Sequence, residues 1–243
     1  MSGCSSRRQA AIGLSLAACI FGAWLALHVW GVLFLPLEGR WLWWLPVQIA
    51  LQTWLSVGLF IVAHDAMHGS LAPGRPQANR AVGQLCVGAY AAFPYERLRA
   101  HHHRHHANPG TADDPDFHDG QPRAFVPWFL RFFRTYFGWR QLVVLAGVAA
   151  VYLALGARPL NLLLCWALPA VLSAVQLFTV GTWLPHRHQG SGAQDFADAH
   201  RARTLAWPWL ASLLACFHFG LHLEHHRQPH VPWWRLPRIR ADA

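Results

Sequence analysis

Two short stretches of this chain share the pattern H-x-x-H-H: His102, His105 and His106, then His222, His225 and His226. Positions i, i+3 and i+4 lie on one face of a helix, so each stretch presents three imidazoles together. A third stretch, H-D-A-M-H, sets His64 and His68 at i and i+4. One such pattern alone fits a solvated basic patch. Two triplets and a pair in one chain point to shared metal ligation. Eight imidazoles are too many for one ion and suit two. Imidazole serves Zn, Cu, Fe and Ni alike, so spacing leaves the metal open.

His186, in T-W-L-P-H-R, ends a long apolar run and is the ninth candidate ligand; a histidine at the membrane interface beside Arg187 is its plainer reading. His101 is spaced to join or flank the second box, and His103 points away from its face. His28, His118, His188, His200, His218 and His230 lack box spacing and read as packed, surface or supporting residues. Ligating histidines usually donate their second N–H to a carboxylate or carbonyl. Asp114 and Asp116, in the D-D-P-D turn after the second box, are the main candidates, with Asp65 and Glu224 behind them. An ordinary solvated turn is the alternative for that acidic run. No catalytic side chain beyond the metal centre suggests itself.

The elements that must position these residues read as membrane helices. Of 243 residues, 54% are hydrophobic and 13% charged, against about a quarter charged in soluble domains. Four segments are long and apolar enough to span: Ala10 to Leu35, Trp41 to Ala63, Gln141 to Leu155 (extendable back towards Trp128), and Leu160 to Leu184. Ala81 to Phe93 and Leu205 to Leu221 are too short and read as interfacial. Pro36 to Arg40 and Gly156 to Pro159 are tight connections. The expected fold is therefore an all-α integral membrane protein, one domain over 1–243, with four transmembrane helices in two hairpins under a histidine-bearing cap.

All twenty basic residues are arginine, and all but Arg40 and Arg158 flank the histidine side. The positive-inside rule puts both termini and the metal site in the cytoplasm. The net charge of +9 thus belongs to the membrane flank, not to a nucleic-acid-binding stripe. The apolar run after Arg7-Arg8 exceeds the roughly 7–15 residues of a signal h-region, so it reads as an uncleaved span. A metal transporter would carry ionisable residues within its spans; here they are almost absent.

Longer strings carry a resemblance. These are L-F-I-V-A-H-D-A-M-H-G (Leu59 to Gly69), H-H-R-H-H-A-N-P-G-T-A-D-D-P-D-F-H (His102 to His118), T-W-L-P-H-R (Thr182 to Arg187) and H-L-E-H-H-R-Q-P-H-V-P-W-W-R-L-P (His222 to Pro237). Together they resemble the bacterial β-carotene 4-ketolase family of the membrane fatty-acid desaturase superfamily. The resemblance implies two iron ions, O2, and electrons from a ferredoxin-type external donor. It maps metal ligands onto His64, His68, His102, His105, His106, His186, His222, His225 and His226. It implies a carotenoid substrate drawn from the membrane lipids of a bacterial inner membrane, with carbon 4 of the ring converted to a ketone. The products would be echinenone and canthaxanthin, with astaxanthin from zeaxanthin. A carotenoid ring hydroxylase or an acyl-lipid desaturase is the neighbouring alternative. Trp183 departs from the Tyr expected before L-P-H-R. Phe93, Phe178, Trp183, Phe217 and Phe219 are candidate ring contacts, although ordinary packing or lipid contact is the plainer reading of any one of them.

Overall fold

The computed structural model describes residues 3–190 and 195–241. Among these, β pairing is confined to an isolated bridge between Thr204 and Leu221; the other regular elements are helices joined by turns and loops. Helix α1 (Gly3–Val29) continues into a π turn, Trp30–Phe34, and α2 (Trp41–Met67) returns beside it. Two shorter helices follow, α3 (Pro76–Ala91) and α4 (Tyr95–Ala107). Then come α5 (Phe125–Tyr136), α6 (Trp139–Ala154) and the long α7 (Pro159–His186). Two short helices, α8 (Trp209–Cys216) and α9 (His222–Arg227), complete the part that concerns the site.

Among the described residues, three helices are long and apolar enough to cross a membrane: Ser5–Phe34, Trp41–Met67 and Pro159–His186. The remaining expected span, Gln141 to Leu155 extended backwards, is not straight: α5 and α6 meet at 76°. Phe137 and Gly138 are both extended, which interrupts the helical hydrogen bonds. The Gln141 side chain accepts the Gly138 N–H at 3.0 Å and starts α6 afresh. At 1.5 Å per residue, α6 alone reaches about 24 Å, short of a hydrocarbon core of roughly 30 Å.

Helix α2 is central, buried almost without interruption from Leu55 to Met67. In lipid an unpaired polar group costs several kcal/mol, so the buried polar side chains along it act as fasteners. Gln48 Nε2 donates to the Leu27 carbonyl at 3.1 Å, and Trp24 Nε1 donates to Ser56 Oγ at 3.1 Å. Both join α1 to α2. Helix α3 ends in left-handed Ala92 (φ 55°), and α4 sets off after Pro94. The Tyr95 ring lies so close to Gly83 that a Cβ there would stand 2.2 Å from Tyr95 Cε2. That approach fixes how α4 lies on α3.

Helix α7 contains π turns at Leu163–Ala167 and Thr179–Trp183, each followed by Leu-Pro. Proline has no N–H and crowds the carbonyl four residues back; a widened turn absorbs both defects. Each inserted residue rotates the remainder of the helix by about 100°. At the other end, Asn161 Nδ2 donates to the Gly31 and Leu35 carbonyls at 2.8 and 2.9 Å, groups the α1 terminus leaves free. Asn161 is buried. Asn161→Ala should therefore leave two buried carbonyls unpaired and cost about 1–3 kcal/mol. A clear fall in thermal midpoint in detergent is expected; an unchanged midpoint would contradict this role.

Candidate metal centre and its cavity

The structure gathers all nine candidate histidines into two groups. His64 and His68 from α2, His102 and His106 from α4, and His225 from α9 form one. His105 from α4, His186 from α7, and His222 and His226 from α9 form the other. Within each, one nitrogen per ring lies within 4.8 Å of all the rest. Each H-x-x-H-H triangle is thus divided between both groups. The Nε2–Nε2 separations are 2.6 Å for His68–His102, 3.0 Å for His106–His225, 3.2 Å for His105–His226 and 3.1 Å for His222–His226.

These contacts test whether cations fit. Burial and the neighbouring histidines hold His102, His222, His225 and His226 well below the ordinary imidazole range, and His106 at about 2. The rings are therefore neutral, each with one donor and one acceptor nitrogen. His226 Nε2 faces both His105 Nε2 and His222 Nε2, and one ring nitrogen, with either a single N–H or a single lone pair, cannot make a full hydrogen bond to each. Both nitrogens of His64, and His186 Nε2, are buried without a partner. Such orphans are rare and costly. One cation in each group would take up the inward lone pairs, so the donor set fits two metal ions.

Outer contacts fix the rings. His105 Nδ1 donates to both oxygens of Asp114 at 2.9 Å. Asp114 also accepts the N–H of Gly110 at 2.9 Å and of Asp116 at 2.8 Å. Burial would raise the Asp114 carboxyl, but the His105 charge and these hydrogen bonds hold it below its usual range. Burial would equally lower His105, yet Asp114 keeps it raised. His186 Nδ1 donates to the Arg201 carbonyl at 2.7 Å, and the Arg201 guanidinium reaches the Gly110 carbonyl at 2.9 Å. The loops after α4 and α7 are thereby tied together behind the second group.

The other candidates sort differently. Asp116 stands 4.0 Å from His105 Nδ1, beyond hydrogen-bond reach, and accepts the Tyr136 hydroxyl instead. Burial lifts its carboxyl to about 6. Asp65 accepts the Trp233 N–H at 3.0 Å and lies 3.5 Å from His64 Nδ1. Glu224 takes the Thr204 hydroxyl rather than a ring nitrogen. His101 belongs to neither group and packs near Tyr136. His103 Nε2 donates to the Met67 carbonyl at 3.1 Å. His218, one of the residues without box spacing, is buried and bonds Ser212 Oγ at 3.1 Å. His28 is packed face to face with Trp24.

A cavity of about 470 Å³ opens from His64, His102, His105 and His222 and runs between α6 and α7 as far as Leu162 and Trp166. Its lining is almost entirely apolar. Of the expected ring contacts, Phe93 and Phe219 line it. Phe178 is instead buried among Phe125, Trp128, Phe129 and Phe132, and Phe217 stacks on Trp54 at 4.4 Å. Trp183 anchors a loop: its Nε1 donates to the Arg123 carbonyl, and Arg187 lies over its ring. The lining aromatics that sequence reading missed are Phe60, Tyr90 and Trp166, and, from α5 and the bend after it, Phe132, Phe133, Tyr136 and Phe137. Aromatic residues at helical spacing, from Phe125 through Phe129 and Phe132 to Tyr136, were the available signal.

The fatty acid desaturase family model matches residues 39–143 and 134–243. A β-carotene ketolase from a Paracoccus strain is 49% identical, covering 96% of this chain and 93% of its own. A β-carotene ketolase of Haematococcus lacustris is 40% identical, over 94% of this chain and 78% of its own. A zeaxanthin 4-ketolase of Chlamydomonas reinhardtii is 36% identical, over 95% of this chain and 54% of its own.

Loss of an outer contact of this kind typically lowers metal affinity ~10–100-fold. Asp114→Asn should weaken retention of one of two ions by that order. Elemental analysis after graded chelator treatment would read it; equal retention of both ions by variant and wild type would show that Asp114 does not position His105 for a metal.

Proposed function

This chain belongs to the fatty acid desaturase family, and from that membership we propose that it is a β-carotene 4-ketolase, a di-iron membrane oxygenase that turns the ring C4 methylene into a ketone. The observation that carries the reading is the apolar cavity that ends on the histidines. A hydrocarbon substrate offers no polar handle, so its ring must be oriented by shape and aromatic contact. Phe93, Phe132 and Phe219 are placed to do this.

His64, His68, His102, His106 and His225 would hold one iron, and His105, His186, His222 and His226 the other. When bound, the irons supply the O2 activation that breaks an unreactive C–H bond. The chain's own contribution is to bring carbon 4 to the cavity's end, exclude water, and keep the nine rings oriented. Carbon 4 is allylic, which weakens its C–H bonds. Each oxygen insertion consumes O2, two electrons and two protons, and releases water. The first gives the alcohol; a second at the same carbon gives a gem-diol, which loses water to leave the ketone. Both rings of β-carotene are equivalent, so echinenone precedes canthaxanthin, and zeaxanthin leads to astaxanthin.

The electrons come from a ferredoxin-type protein on the cytoplasmic side. The bent pair α5–α6 serves as the fourth crossing of a bacterial inner membrane, with both termini and the histidine cap inside. The arginine asymmetry supports that orientation.

Expression in a bacterial host that makes β-carotene, with pigments separated and weighed by mass spectrometry, tests the reading. Wild type should yield echinenone and canthaxanthin; His105→Ala and His225→Ala should yield neither. Zeaxanthin in place of ketones would assign a 3-hydroxylase. Untouched β-carotene, with iron-loaded protein and a working reductant supply, would remove carotenoids as the substrate.

A further inference from the structure

The cavity's histidine end carries polar groups that a hydrocarbon ring does not need. Asp116 and Tyr136 both line it, beside His102 and His105. Asp116 is not required to hold His105, because Asp114 already takes the His105 Nδ1–H through both oxygens. Yet Asp116 is held firmly. Its N–H donates to Asp114 at 2.8 Å, its carbonyl accepts Trp128 Nε1 at 2.7 Å, and its Oδ1 accepts the Tyr136 hydroxyl. Its other oxygen, Oδ2, is 4.0 Å from His105 Nδ1 and meets no hydrogen-bond donor among the described residues. Its side chain is 12% exposed, and the cavity is one surface it faces. A metal ion at this point would compete for the His105 Nδ1–Asp114 bond, so the free oxygen suits a neutral donor.

On the ketolase reading, carbon 4 lies at this end of the cavity, and the neighbouring ring carbon is carbon 3. We propose that Asp116 Oδ2, braced by Tyr136, is a subsite for a ring hydroxyl: it accepts a hydrogen bond from the 3-hydroxyl of a 3-hydroxylated carotenoid ring. With such a ring the cavity-facing oxygen gains the donor it lacks; with an unsubstituted ring it stays unpaired. The pocket therefore discriminates in favour of hydroxylated rings, and this rests on the ketolase reading of the same site.

The test presents β-carotene and zeaxanthin together to membranes carrying wild type, Asp116→Leu or Asp116→Asn, and follows each ketone by mass spectrometry. A second readout needs no turnover: tryptophan quenching gives the affinity of purified, unreduced protein for each pigment. A hydrogen bond to a charged group is worth enough to shift selectivity roughly tenfold or more. Asp116→Leu should lower the zeaxanthin-to-β-carotene ratio of kcat/KM, and of affinity, by that factor. Asp116→Asn keeps the side chain's shape, so it serves if the leucine variant fails to fold; its ratio should fall less, in the same direction. Tyr136→Phe should follow it. A ratio unchanged in the folded variants, or equal loss on both pigments, overturns the subsite. No ketone from either pigment with iron-loaded, reduced wild type would overturn the ketolase reading instead.

Discussion

Nine imidazoles turned inward at close quarters are a demanding thing to bury. Each brings a lone pair, and several of those lone pairs face one another across about hydrogen-bond distance. Hydrogen bonding alone does not satisfy them, as the orphan nitrogens of His64 and His186 show. A cation in each group would take up those lone pairs, which would make metal binding and the packing of this end of the molecule one event. Much of the remaining structure serves to deliver nitrogens to two points. Helices α2, α4, α7 and α9 each contribute. The loops behind them are cross-linked through Asp114, Gly110 and Arg201 so that the rings cannot turn away.

The second constraint is the lipid. A bilayer leaves no water to satisfy backbone or side-chain polar groups, so helical breaks must be repaired from within. Asn161 does this for the end of α1, Gln141 for the start of α6, and the π turns do it for Pro169 and Pro185 in α7. The same breaks create the cavity. Because α6 departs from α5 at 76°, a gap is left between α6 and α7. Ala146 and Ala149 face that gap from one wall, with Ala170 and Ala174 on the other. Gly181 leaves room for the Phe219 ring, since a Cβ there would stand 2.5 Å from Phe219 Cε1. That close fit sets an aromatic wall beside His64 and His222.

From its residues alone, the chain declared an all-helical membrane protein and the nine histidines that the structure brings together. Both are local properties. A span is legible because 20 or so apolar residues in a row are needed at 1.5 Å each, and a box is legible because i, i+3 and i+4 share a helix face whatever the rest of the fold does. Asp114 was legible as an outer partner because a short turn places it close to His105 whenever the box is helical.

Only the tertiary structure decided how the histidines are shared. Spacing groups His102, His105 and His106 as one triplet, but packing splits them, because ligands from α2 approach one side of α4 and His186 the other. His186 itself depends on the π turn at Thr179–Trp183, whose added residue rotates the end of α7 and has no periodic signature. The cavity wall was hidden for a related reason. Phe132, Phe133 and Tyr136 line it because the chain bends at Phe137–Gly138, whereas Phe178, Phe217 and Trp183 turn into packing. Which aromatic faces a void is settled by where neighbouring helices diverge, and divergence is a property of the assembled bundle rather than of any stretch of sequence.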